Sequence, residues 1–226
     1  MKHILDNPVW EALISGNARL SQGSGPVRYL PRDISPFAGM KEFSAKNFKT
    51  LYELFPFESP AAIFTDEKFL VPDPWHIIKR IDGYQMLLIK ALQPQPSDIN
   101  IVKLGKQHVP AMLALTIQTN PGPFLSNTIA FGNYEGVLDN GKLVAMAGQR
   151  LHSHNFVEIS AVCTHPDYLG RGYASQLILS QIRQIQANSK TAYLHVKRDN
   201  ERAIKIYQSM GFEIRKEMVI YIIGKT

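Results

Sequence analysis

Two periods of apolar residues meet in the stretch VEISAVCTHPDYLGRGYAS, residues 157–175. Val157, Ile159, Val162 and Cys163 have the β-prone character of a strand. Pro166 ends that pattern and holds the residue before it extended. From Ala174 the spacing becomes helical, through Ile178, Ile182 and Ile185, with Leu177 and Leu179 beside them. Upstream, Pro8 near a first turn and Trp10, Leu13 and Ile14 on one face predict a helix capped by Asp6 or Asn7. Val27–Leu30 reads as a short strand and Phe48, Leu51, Tyr52 and Leu54 as a helix ending before Pro56. Ala61–Thr65 and Trp75–Ile78 read as strands, and Asp82-Gly83 before Met86–Ile89 predicts a hairpin.

Gln93-Pro94-Gln95-Pro96-Ser97-Asp98 is polar and proline-stiffened, which predicts a linker. It divides the chain into an α/β module at 1–97 and a second domain at 98–226. In the second, Ile99–Leu104 predicts a strand and Pro110–Ile117 a helix ending near Asn120. Two strands flank Asp139-Asn140-Gly141, where Asn-Gly tolerates the positive φ of a tight hairpin. With strands at 157–163, 192–196 and 219–223 the order becomes β-α-loop-β-β-β-α-β-α-β. The predicted class is α/β (α+β), a mixed sheet with helices on both faces.

Composition narrows the function classes. The chain has 226 residues, 45% of them hydrophobic, enough for two small cores. No apolar run reaches membrane-spanning length, and Asp6 and Glu11 interrupt what would be the core of a signal peptide. One cysteine, Cys163, leaves no intramolecular disulfide, so a cytoplasmic setting is expected, with no membrane partner. The net charge of +6 suits a polyanionic ligand. The basic residues are scattered without interleaved aromatics, so no nucleic-acid partner is expected. His152, His154 and His165 have no third ligand at zinc spacing and read as surface histidines; no metal is expected.

Leu169-Gly170-Arg171-Gly172-Tyr173-Ala174-Ser175 carries the candidate chemistry. A glycine turn feeding a helix aims free N–H groups and a positive dipole end at one point, an anion site. A P-loop would need Lys-Ser or Lys-Thr after Gly172, and a dinucleotide fingerprint would need Gly or Ala at residue 175, which is Ser175. The other reading of Gly170 and Gly172 is an ordinary strand-to-helix turn.

The loop resembles the acyl-CoA loop of the GNAT superfamily of N-acyltransferases, Arg/Gln-x-x-Gly-x-Gly/Ala after a His/Asp-Pro-Glu/Asp-Tyr turn. The pattern falls on Leu169, Gly172 and Ala174 behind His165-Pro166-Asp167-Tyr168, with Leu169 departing from Arg or Gln. Downstream, Asn200, Ala203, Tyr207, Gly211 and Phe212 match the family's Asn-x-x-Ala-x-x-x-Tyr-x-x-x-Gly-Phe segment without departure. The resemblance covers residues 98–226 and is nearest in kind to the glycine N-acyltransferase-like branch, in which a divergent half precedes the catalytic one.

The resemblance implies a GNAT fold, with a mostly antiparallel twisted sheet, and direct transfer of an acetyl group from acetyl-CoA, or of a short acyl group from its acyl-CoA, to a primary amine of a small molecule or amino acid. Residues 169–174 would bind the diphosphate and Val162, Cys163 and Thr164 the pantetheine arm, with a backbone N–H near Val162 for the thioester oxygen. Asn200 and Ala203 would touch the cofactor, Asn200 also as helix N-cap. Tyr207 would be the general acid, against a reading as a core tyrosine bonded to backbone. Glu158 would be the base, against a reading as a solvent-facing strand residue. Cys163 reads as a packed thiol and His195 as structural. Pro121–Asn127 and parts of 1–97 would build the acceptor side, in a monomer or homodimer. Two other functions stay open, a protein N-acetyltransferase and a non-catalytic acyl-CoA sensor.

Overall fold

The computed structural model describes residues 2–67, 69–90 and 98–226. Of the expected linker, residues 93–98, all but Asp98 lie outside them.

One eight-stranded sheet organises the chain, in the order β3-β10-β4-β9-β8-β7-β6-β5. Its strands are β3 (Ala61–Thr65), β4 (Trp75–Leu88), β5 (Ile101–Lys103), β6 (Glu135–Asp139), β7 (Lys142–Ser153), β8 (Phe156–Thr164), β9 (Thr191–Lys197) and β10 (Phe212–Lys225). Short β1 (Val27–Tyr29) and β2 (Ala38–Met40) form a separate pair. Every ladder is antiparallel except β8 with β9.

Helices cover both faces. On one, α1 (Pro8–Leu13) and α3 (Val109–Thr119) pack Val9, Leu13, Met112 and Leu115 against Phe37, Phe64, Leu151 and Tyr193. On the other, α4 (Tyr173–Ala187) and α5 (Glu201–Ser209) cover Met86, Val157, Ile159 and Leu194. Ile178, Ile182 and Ile185 of α4 are almost fully buried there, as their helical spacing predicts, each contributing roughly 1.5–3 kcal/mol. The remaining helix, α2 (Ala45–Leu54), is capped by Ser44 and packs Phe48 and Leu51 beside Trp75 and Tyr221.

Two expectations meet a different structure. Asp82-Gly83 makes no hairpin: β4 runs straight through it, paired with β10 along nearly its whole length. Gly83 serves a close approach instead, since a Cβ there would fall 2.7 Å from the Val196 carbonyl oxygen. The sheet is also continuous across the boundary expected at residue 97. β10 lies between β3 and β4, and β4 continues into β9, so strands from both sides of that boundary complete each other's hydrogen bonding.

Candidate active site at a split in the sheet

β8 and β9 pair only through Phe156–Thr191, Val157–Ala192 and Glu158–Tyr193. Beyond Glu158 they part, β8 staying with β7 and β9 with β4. A cavity of 520 Å³ occupies the gap. Val162, Val196 and Tyr207 line it from the side of α4 and α5, and Phe37, Phe64 and Ile220 from the side of α1 and α3. The opening therefore runs through the sheet.

The edge of β8 is irregular where it meets the cavity. Ala161 and Val162 together face Ala147, because Cys163 pairs with Met146 and Ser160 with Gly148. Ala161 has φ 54°, a left-handed conformation that costs a non-glycine residue about 1–3 kcal/mol. The extra residue turns backbone groups out of the β7 ladder at the point where β9 no longer competes for them.

The glycine turn stands at the same end of the sheet. Gly170 and Gly172 have φ of 79° and 77°, and nothing lies within 4 Å of where their Cβ atoms would be. Gly172 caps the 15-residue α4 without a side-chain hydrogen bond. The first intrahelical bond runs from Gln176 N to the Gly172 carbonyl, 3.1 Å, which leaves the amides of Tyr173, Ala174 and Ser175 ahead of it. Space, positive φ and uncapped amides together fit a diphosphate. Leu169 reaches the cavity wall. Arg171 lies over the Tyr168 ring at 4.6 Å, and Tyr168 donates to Asp139 at 2.7 Å.

Tyr207 sits on the face of α5 toward the cavity, with its ring 6.1 Å from that of Phe212. Its hydroxyl has no hydrogen-bond partner among the described residues and is not among the atoms sealed from solvent. Burial pushes its pKa up to about 12. A core tyrosine bonded to backbone is therefore not what the structure contains. Asn200 Oδ1 accepts from Ala203 N at 3.2 Å, so Asn200 caps α5 and lines the cavity as well. Cys163 and Thr164 also line it. Burial raises the Cys163 thiol to about 11, so it stays protonated and unreactive.

Glu158 requires a correction. It is 0% exposed and does not line the cavity. Its carboxylate accepts from Arg150 Nε at 2.8 Å and from Arg150 Nη2, and from His195 Nδ1 at 2.8 Å. Burial alone would raise its pKa, but these two partners outweigh it and hold the carboxyl at about 2. A carboxylate that weakly basic and that enclosed is neither the expected base nor a solvent-facing strand residue.

The residues around it escape sequence reading. Arg150 and Leu151 both lie opposite Glu158, a second bulge in the β7–β8 ladder that aims the guanidinium inward. Gln85 on β4 fixes His195: its oxygen accepts from Arg215 Nε at 2.5 Å and its amide donates to the Leu5 carbonyl at 2.9 Å. The amide thus faces His195 Nε2 at 3.0 Å, so Nε2 accepts and Nδ1 carries the proton given to Glu158. Arg215, the extra residue of a bulge in β10, goes on to Asp6 at 2.5 Å. His152 is not a surface histidine either; burial lowers its pKa to about 4, and its Nε2 is sealed without a partner.

Loop residues Asn120–Pro123 line the cavity, as do Lys197 and Arg202, and among the described residues no Asp or Glu does. Among the described residues no group of three His, Cys, Asp or Glu could hold a metal, and no helix is long and apolar enough to cross a membrane.

Known proteins share this architecture. A family profile described as FR47-like protein matches residues 134–220. The mycothiol acetyltransferase of Corynebacterium efficiens is 27% identical over 84 residues, 37% of this chain and 28% of its own. This chain spans about a quarter of the length of the curated relatives it matches. A GCN5-related N-acetyltransferase from Kribbella flavida shares the fold, with a TM-score of 0.64 at 16% identity over 95% of this chain and 93% of that one. A crystal structure from Novosphingobium aromaticivorans, described as an acetyltransferase from the GNAT family, is 35% identical with a TM-score of 0.91 and covers 100% of both chains. With that likeness running end to end, and with the split strands and both loop motifs in their places, the chain belongs to the GNAT family of acetyltransferases.

Proposed function

We propose that the protein transfers an acetyl group directly from acetyl-CoA to the primary amine of a small molecule. The observation that carries this reading is the cavity through the sheet, with Tyr207 and the Ala161 bulge on its wall and the α4 amides beside it. The α4 turn and Asn200 would hold the donor, which supplies the acetyl group and a thiolate leaving group. The bulge at Ala161–Val162 offers a backbone N–H to the oxygen that gains charge. Tyr207 keeps its proton at neutral pH and gives it to the departing thiolate.

The amine enters as the free base. Arg150, Lys197 and Arg202 line the cavity and, among the described residues, no carboxylate does, so a positive ammonium is disfavoured there. Its proton leaves to water, with Glu158 uninvolved. The test is a thiol-release assay with acetyl-CoA across a panel of amines and pH values. We expect kcat/KM to rise about tenfold per pH unit until the acceptor's own ammonium has titrated, then level off. A limb in the carboxylate range would return the base role to a side chain. No transfer to any amine, with acetyl-CoA still bound, would favour the sensor reading.

Gly172→Asp tests the donor site separately. It forces a side chain into φ 77° and puts a negative charge at the helix N-terminus. Calorimetry should give a Kd for acetyl-CoA weaker by roughly tenfold or more. An unchanged Kd in a folded variant would move the diphosphate elsewhere.

A further inference from the structure

The acceptor side of the cavity holds a guanidinium with one edge in use and one edge free. Arg150 spends Nε and one N–H of Nη2 on Glu158. Its Nη1 has no hydrogen-bond partner among the described residues and is not among the atoms sealed from solvent. The side chain keeps 13% exposure and lines the cavity. An arginine present only to neutralise Glu158 would need no such opening.

The group is also held rigidly. Its Cζ lies 4.8 Å from the centroid of the Phe37 ring and 5.6 Å from that of Phe64. Glu158, which grips its other edge, is fixed by His195, and His195 by Gln85. The remaining pair of N–H groups, on Nη1 and Nη2, has the flat, parallel geometry that receives a carboxylate through two hydrogen bonds. Phe37, Phe64, Ile220 and Ile222 leave apolar wall around it.

We propose that Arg150 is the carboxylate receptor of the acceptor, so that the molecule acetylated is an amine that also carries a carboxylate and an apolar side chain. This rests on the acetyltransferase reading. The amine then points from the Arg150 side of the split toward Tyr207 on the other, with the carboxylate as the anchor that sets its reach. His195 and Glu158 act through Arg150 and are positioning residues.

The experiment compares matched acceptors on the wild-type protein: phenylalanine against phenylalaninamide and 2-phenylethylamine, and leucine against leucinamide. Rates are expressed per concentration of free-base amine, which removes the difference in ammonium acidity. A pair of charge-assisted hydrogen bonds should favour the carboxylates by about 10–100-fold in kcat/KM. Arg150→Lys keeps a cation opposite Glu158 but removes the second edge, so the preference should collapse toward unity while the rate with 2-phenylethylamine falls much less. Transfer to all acceptors without preference overturns the inference and leaves the acetyltransferase reading standing. A preference that survives in Arg150→Lys moves the receptor to another residue, and stronger selection of the aminophosphonate analogues removes the assignment to carboxylate. No transfer to any member overturns both readings. If Arg150→Lys does not fold, the wild-type comparison decides alone.

Discussion

Tyr207→Phe should lower kcat by about 10²–10⁴ while the affinity for acetyl-CoA and the stability change little. The substitution removes one oxygen. That oxygen makes no hydrogen bond to the described protein and opens onto the cavity, so its loss leaves no buried partner behind. The ring contact with Phe212 at 6.1 Å survives. A phenol held near pKa 12 is fully protonated at neutral pH and more acidic than water, so it is the better donor to a departing thiolate. The effect should appear in kcat and kcat/KM together, because the proton moves only as the thiolate leaves. It should shrink with donors whose leaving groups need no proton. Wild-type turnover in Tyr207→Phe, with chemistry rate-limiting, would return the tyrosine to packing and give the proton to water.

Glu158→Gln should destabilise the fold by about 3–5 kcal/mol, the usual cost of stripping one partner from a buried ion pair. The variant keeps shape but leaves the Arg150 guanidinium, mostly enclosed, without its countercharge. The same pair makes a prediction in pH. The folded-state pKa of Glu158 lies at about 2, below the ordinary 4.5, so its contribution is complete above pH 4.5. It is lost as pH falls from there through about 2, amounting to about 3 kcal/mol. The gap in urea unfolding free energy between wild type and Glu158→Gln should therefore narrow by about 2 kcal/mol between pH 7 and pH 3, with the rest lost only below pH 3. A gap below about 1 kcal/mol at pH 7 would mean that the cluster is open to water.

The donor half of this site can be read along the chain and the acceptor half cannot. Residues 169–175 and 200–212 are contiguous, and each has a local reason for its composition: positive φ at Gly170 and Gly172, a cap at Asn200, a helical turn between Ala203 and Tyr207. Arg150, Glu158, His195, Gln85 and Arg215 come from five different strands. They meet because of strand order and of bulges at Arg150 and Arg215, and register shifts of one residue have no sequence signature. Glu158 shows the cost, since its position in an alternating strand cannot reveal an arginine from the neighbouring strand over it. One clue was present: a single charge, Arg150, in a strand around Val144–Leu151 that is apolar but for Gln149 beside it. A lone charge there has to be paired or functional. Asp82-Gly83 misled for the related reason that a glycine needed for close approach looks like one needed for a turn.

The place of β10 between β3 and β4 also governs how the protein comes into being. β3 and β4 are made early, and the strand that joins them is residues 212–225. While the ribosome is still translating, the edges of β3 and β4 that will meet β10 stay bare, and the apolar run Ala61–Thr65 has no sheet to enter. The wall carrying Phe64, Ile220 and Ile222 closes only when sequence-distant segments find each other, a high-contact-order step that is slow and open to aggregation. The nascent chain therefore reaches its final shape in one late, long-range closure, and the half made first waits for it.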